Sequence, residues 1–160
     1  MNQPLDLLVQ DLAAKINMHV FQLSASDATV QELIANVKAD PVADLAYLDV
    51  YQLGFSNNRS AIDALVECTG SPHEYVRLSA ISSLGTINAY DQVDHLIALF
   101  SGDANWRDRA MALKSLGDIA VMGSDQALSF MRDGAENVLT GETAVGAEWS
   151  REILGLYLRL

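Results

Sequence analysis

The sequence predicts an all-α protein, a short right-handed α-α superhelix of about nine helices. Residues 77–87 are almost repeated 32 residues later, at 109–119, with six identities in eleven positions. A fixed period of this length is typical of stacked helical hairpins, each of which needs a neighbour to bury its apolar face. Apolar residues also recur at three and four positions, and no alternating β-branched segment bounded by hairpin turns interrupts them.

Composition and charge favour one soluble domain over residues 1–160. Half of the chain is hydrophobic, and 21 acidic residues against 10 basic ones give a formal net charge of −11. Such a surface repels phosphate groups, so we expect no nucleic-acid partner but a protein or peptide with a basic surface. The single cysteine, Cys68, excludes an internal disulfide and a multi-cysteine zinc site. The opening residues do not resemble a signal peptide and the apolar runs are short, so we expect a cytoplasmic protein without a membrane partner.

Residues 1–40 predict two N-terminal capping helices. Apolar residues at helical spacing between positions 5 and 16 predict a first helix over about 4–20. A second apolar stripe, from Val30 to Val37, predicts another helix. Asp40-Pro41 ends it, because the residue before a proline avoids the helical region.

Residues 41–133 predict three helical hairpins, each with a Leu-Gly pair near the end of its first helix. The three pairs are Leu53-Gly54, Leu84-Gly85 and Leu116-Gly117. We expect each glycine to end its helix in a left-handed C-cap. Ser71-Pro72-His73-Glu74 predicts a capping box at the start of the second hairpin, with Ser71 accepting a backbone hydrogen bond and Glu74 reaching back to the cap.

The C-terminal region predicts one closing helix. A polar stretch at 133–142 contains two glycines and is expected to separate the third hairpin from this helix. The C-terminal capping helix then falls within 134–160, where Leu154-Gly155 is a degraded fourth copy of the repeat pair.

The repeated residues resemble the short bacterial HEAT repeat of the phycobilin-lyase type. The pattern is valine-arginine, two residues, alanine, three residues, leucine-glycine. It is carried by Val76-Arg77, Ala80 and Leu84-Gly85, and by Arg109, Ala112 and Leu116-Gly117. The resemblance covers about 41–133 and implies a HEAT-like superhelix whose alanines let helices approach and whose arginines cross to acidic groups of the next repeat. It implies little about function, which on such folds lies in individual surfaces.

Two acidic residues depart from this pattern. Asp49 holds the place of the repeat alanine, and Asp108 holds the place of the repeat valine. Either the repeat boundaries shift by a residue or two, which is the interpretation we favour, or a carboxylate is placed to pair with a repeat arginine.

No group of residues predicts a catalytic or metal site. His73-Glu74 is similar to the His-Glu pairs of deoxyhypusine hydroxylase, a HEAT-repeat metal enzyme, but that site needs several pairs and this chain has one. Cys68 lies in an apolar stripe, as a small buried hydrophobe does. Trp106 and Trp149 are more typical of packing between repeats than of a ligand platform. We therefore expect no metal, no cofactor and no enzymatic activity.

The register of the repeat predicts an acidic strip on the second helices, which usually line the concave face of such solenoids. Asp63 and Asp94 each lie nine residues after a repeat glycine, next to the predicted buried leucine rung. With Glu67 and His95 they form the strip, and Phe130 beside it is a possible apolar anchor. An ordinary solvated helix face is the alternative.

The leading functional hypothesis is a non-enzymatic scaffold or adaptor that binds a basic partner on this acidic strip. The resemblance to phycobilin lyase subunits implies a second possibility, an accessory lyase or chaperone that loads a bilin-like cofactor onto a client protein. A third possibility is a structural subunit of a larger assembly.

Overall fold

The computed structural model describes residues 27–39, 46–102, 104–140 and 144–159. Every regular element in these ranges is helical, which confirms the all-α class. Eight helices follow one another: α1 (Asp27–Ala39), α2 (Ala46–Phe55), α3 (Ile62–Cys68), α4 (Glu74–Thr86), α5 (Val93–Ser101), α6 (Trp106–Val121), α7 and α8 (Ala144–Tyr157). α7 has three continuous segments, Asp125–Ser129, a π-helical turn at Phe130–Gly134 and Ala135–Leu139. The predicted helix at 4–20 lies outside the described residues.

The first helices of the hairpins pack side by side through glycine and serine. A Cβ atom on Gly85 of α4 would lie 2.9 Å from the Cα atom of Ser115 in α6, so only glycine permits this approach. Ser115 Oγ fills the contact and donates to the carbonyl oxygen of Ile81 at 2.8 Å. The same arrangement joins α2 to α4 through Gly54, Ser83 Oγ and the carbonyl oxygen of Val50 at 3.1 Å. The first helices therefore form a continuous spine.

The repeat glycines are not C-caps, so that prediction is wrong. Gly85 lies inside α4, which ends at Thr86. The left-handed backbone positions are in the turns that follow, at Asn57 (φ 51°), Asn88 (φ 53°) and Gly123 (φ 106°). Asparagine tolerates this region better than other residues with a Cβ atom, which explains why two of the three turns need no glycine.

The core is a continuous apolar layer that the hairpins share. The predicted rung residues Leu65 and Leu96 are fully buried, and Leu128 is half-buried. Leu84 and Leu116, from the repeated Leu-Gly pairs, are also fully buried. Because α3 packs on α4 and α5 packs on α6, each hairpin covers the apolar face of its neighbour.

The predicted break at 133–142 is wrong for residues 133–139, which stay helical. Ala135 and Leu139 are buried, so this segment adds to the core. The helix continues through the π-helical turn Phe130–Gly134, in which the polar Arg132 and Asp133 are exposed. A Cβ atom on Gly134 would lie 2.6 Å from Cδ2 of Phe130, so this glycine makes room for the phenylalanine ring.

The start of α4 differs from the predicted capping box. The helix begins at Glu74, and His73 precedes it without a side-chain cap. Ser71 Oγ accepts from the backbone N–H of His73 at 3.2 Å, two residues on. Glu74 Oε1 accepts from Arg107 Nη1 at 2.8 Å and so joins α4 to α6.

Candidate functional site

The predicted acidic residues lie on two neighbouring helices. Asp63 and Glu67 are exposed one turn apart on α3, and Asp94 is exposed on α5. A contact between Thr69 and His95 and an ion pair between Arg59 and Asp91 hold these two helices together. We call the exposed sides of α1, α3, α5 and α7 the second-helix face.

Two of the three carboxylates have polar partners from adjacent helices. Glu67 pairs with Lys38 of α1 (Nζ to Oε2, 3.3 Å), and both side chains are largely exposed, at 69% and 57%. Asp94 Oδ1 accepts from Gln126 Nε2 of α7 at 2.6 Å. Asp63 has no polar partner within the described residues. Exposed ion pairs contribute about 0–1 kcal/mol, so an incoming cation can replace Lys38 at little cost.

His95 is a neutral connection between α5 and α3. Its Nε2 atom lies 2.9 Å from Oγ1 of Thr69. The Thr69 hydroxyl already donates to the carbonyl oxygen of Val66 at 2.7 Å, so His95 Nε2–H is the donor. Burial lowers the pKa of His95 below its usual value of 6.5. The residue therefore adds no positive charge to the acidic strip at neutral pH.

Phe130 is half-buried against the core. Its ring meets that of the buried Phe100 edge-on, with centroids 5.9 Å apart and an interplanar angle of 83°. The contact fixes α7 against α5, and only part of the ring remains for a partner.

Sequence reasoning missed part of the acidic surface. Glu32 in α1 lies 31 residues before Asp63, the same spacing that separates Asp63 from Asp94, and it is exposed. The hydrogen bond from Gln31 Nε2 to Ser60 Oγ (3.5 Å) joins α1 to the 3-10 turn that leads into α3. The repeat offset, extended one step towards the N-terminus, could have identified Glu32.

The repeat arginine forms the predicted bridge to the next repeat. Arg77 Nε contacts Asp108 Oδ2 at 2.8 Å, and the Asp108 side chain is only 7% exposed. Arg77 Nη1 also donates to the carbonyl oxygen of Ser71 at 3.0 Å. The boundary shift that we favoured is therefore wrong for Asp108, whose carboxylate pairs with the arginine. Asp49 is half-buried in α2.

The two tryptophans differ from the sequence-based expectation of packing between repeats. Trp106 is 36% exposed and Trp149 is 51% exposed. They line one open groove on the first helices, together with Met111 of α6. Among the described residues, the acidic strip thus lies on the second helices and this apolar groove lies on the first helices.

Cys68 behaves as a packed apolar residue. It is half-buried against the core, and burial, with a smaller effect of the nearby Glu67 carboxylate, raises the pKa of its thiol. Within the described ranges, no three histidine, cysteine or acidic side chains come together as metal ligands do. No helix in the same ranges has the length and apolar character that crossing a membrane requires.

Comparison with known proteins identifies the repeat. The family profile for HEAT repeats matches residues 30–117 and, in an overlapping match, 62–140. A search of curated proteins finds no match. The likeness to the phycobilin-lyase type stays a prediction from the residue pattern. Because the profile spans well over half of the 160 residues, and its span contains the glycine-serine contacts between repeats, the chain belongs to the HEAT-repeat family.

Proposed function

We propose that this protein is a non-enzymatic interaction scaffold that binds a basic protein or peptide on its second-helix face. HEAT repeats are commonly protein-interaction scaffolds. The observation that carries the proposal is the exposure of Asp63, Glu67 and Asp94 on consecutive second helices. Asp63 and Glu67 lie one turn apart on α3 and Asp94 lies on α5, so the three carboxylates offer negative charge to a basic partner on two neighbouring second helices.

The charges around the acidic strip favour a cationic partner. Asp91, in the 3-10 turn that leads into α5, and Asp125 of α7 are also exposed. Among the cations there, Lys38 is held by Glu67 and Arg59 by Asp91, the latter at 2.5 Å. With a net charge of −11 for the whole chain, the surface attracts basic partners over a distance of about a Debye length, roughly 8 Å at physiological salt.

A charge-removal experiment tests the proposal. The variant Asp63→Asn, Glu67→Gln, Asp94→Asn removes three negative charges from the second-helix face without shortening a side chain. Basic proteins captured from a cell extract by the wild type should be lost by this variant. Their isolated complexes should weaken through slower association, and should weaken further as salt rises. Unfolding should change little, because exposed charges add little stability.

A matched control uses Asp49→Asn, Glu148→Gln and Glu152→Gln, which remove the same charge from α2 and α8. This variant should retain the captured proteins. If both triple variants retain the captured proteins equally, at low salt and at high salt, the strip is an ordinary solvated surface. Equal loss in both would mean that only net charge matters.

A further inference from the structure

An apolar groove crosses the first helices, on a different part of the surface from the acidic strip. The groove measures about 330 Å³ and is lined by Leu78, Trp106, Ala110, Met111, Trp149 and Ile153. These side chains come from α4, α6 and α8. Their mixture of large aromatic walls and a small alanine between them is typical of a surface that receives side chains of a partner.

The charged residues that line this groove are all basic. Arg107 and Lys114 stand on the same side of α6, seven residues apart, and their side chains are 55% and 44% exposed. Each has an acidic neighbour outside the groove lining: Glu74 contacts Arg107 at 2.8 Å, and Asp118 contacts Lys114 at 2.7 Å. In both pairs the cation is more exposed than its carboxylate, so a carboxylate of a partner can approach each cation from the open side.

The shape of the groove favours a helix as the occupant. The groove runs along α6 from Trp106 to Lys114, a length of about 12 Å at a rise of about 1.5 Å per residue. Its walls are helices, whose backbone groups already bond within the helix. An extended peptide would therefore find no backbone partners there, whereas a helix brings its own hydrogen bonds and offers apolar side chains at every third and fourth position.

We propose that this groove binds an amphipathic helix of a partner protein, with apolar side chains on one face and acidic side chains at the edge that meets Arg107 and Lys114. The apolar anchors enter between Trp106 and Trp149 over Ala110. The acidic flank meets the two cations. This site is separate from the second-helix face, which attracts partners of the opposite charge, so either proposal can fail without the other.

Intrinsic fluorescence gives a direct readout, because Trp106 and Trp149 are the two tryptophans of the chain and both line the groove. The probe is a capped helical peptide without tryptophan, carrying leucines at positions i, i+4 and i+7 and glutamates beside them. A second peptide replaces every glutamate with lysine. The glutamate peptide should shift tryptophan emission to shorter wavelength in a saturable way. The lysine peptide should leave the emission nearly unchanged, even where it binds the second-helix face.

Two variants locate the response. Ala110→Glu places a like charge in the groove and should weaken binding of the glutamate peptide about tenfold or more. Its matched control is Ala98→Glu on α5, where the alanine is exposed on the other face, and this variant should bind as the wild type does. Lys114→Glu leaves one cation and one anion at the groove and should abolish the preference for the glutamate peptide, which keeps the test valid if Ala110→Glu does not fold.

Three results would overturn the proposal. One is no saturable shift with the glutamate peptide. Another is equal or greater response to the lysine peptide, which would show that the two cations do not select the partner. The third is a blue shift on raising protein concentration alone, with sedimentation showing a dimer that Ala110→Glu abolishes, since the occupant would then be a second copy of this chain.

Discussion

Replacing Gly85 with alanine tests the glycine-serine spine directly. The new Cβ atom would lie 2.9 Å from Ser115 Cα and 2.9 Å from Ser115 Cβ, whereas ordinary contact begins at 3.4 Å. One of the two contacting atoms belongs to the backbone of α6, so a side-chain rotation cannot relieve the overlap. The two first helices must separate by about 0.5 Å or more, and the Ser115 hydrogen bond to Ile81 must lengthen from 2.8 Å.

Two effects lower the stability of this variant and one raises it. Overpacking of a buried contact costs about 1–3 kcal/mol. Weakening the buried serine hydrogen bond costs about 1 kcal/mol. Alanine is better than glycine inside a helix by about 1 kcal/mol. The variant should therefore lower the free energy of unfolding by about 1–3 kcal/mol, and each kcal/mol should lower the melting temperature by about 2–4 °C for a chain of this size.

Gly155→Ala is the matched control, and it should change stability in the opposite direction. Gly155 also lies inside a helix, α8, but a Cβ atom there meets nothing within 4 Å. Only the gain in helix propensity remains, so the free energy of unfolding should rise by about 0.5–1 kcal/mol. Urea unfolding followed by circular dichroism measures both variants under the same conditions. An unchanged or more stable Gly85→Ala protein would refute the close approach of α4 to α6, as would equal losses in the two variants.

Four other substitutions test separate parts of the fold. Arg77→Met leaves the buried Asp108 carboxylate without its cation and should cost about 3–5 kcal/mol, and a loss below about 1 kcal/mol in urea unfolding would show that the pair is unimportant. Leu84→Ala and Leu116→Ala, at fully buried sites, should each cost about 2–5 kcal/mol, and melting temperatures equal to wild type would contradict the packing. Burial lowers the pKa of His95, so the unfolded chain binds its proton more readily and stability should fall as pH drops below 6.5. His95→Gln should reduce this loss of stability, measured as the free energy of unfolding above and below pH 6.5. The same pH dependence in the variant and the wild type would contradict a role for His95.

The repeat architecture was predictable because its signal is periodic. Residues 77–87 and 109–119 can be aligned from the sequence alone, without knowing which helices pack against each other. The role of the repeat glycine was not predictable in the same way. A glycine near the end of a helix suits a left-handed cap and also suits close approach of another helix, and only the position of Ser115 relative to Gly85 distinguishes the two. The buried pair at Asp108 was considered but not favoured for the same reason, since pairing depends on a residue 31 positions away.

The acidic surface was predictable from register alone, while the apolar groove was not. Asp63 and Asp94 follow the repeat offset, so their placement on neighbouring second helices could be counted from the sequence. Trp106 and Trp149 lie 43 residues apart and follow no repeat offset. Helical periodicity places each of them on its own helix but gives no distance between the helices. The groove therefore required the structure.

The most direct test of the proposed scaffold function is to map the contact surface by NMR. The uniformly 15N-labelled protein is titrated with a short peptide that alternates lysine and serine and carries no apolar side chains. Our account predicts saturable shifts of backbone amides in α3 and α5, centred on Asp63, Glu67 and Asp94, that diminish as salt screens the charges. Shifts confined to α4, α6 and α8, or shifts in no helix at any peptide concentration, would contradict it.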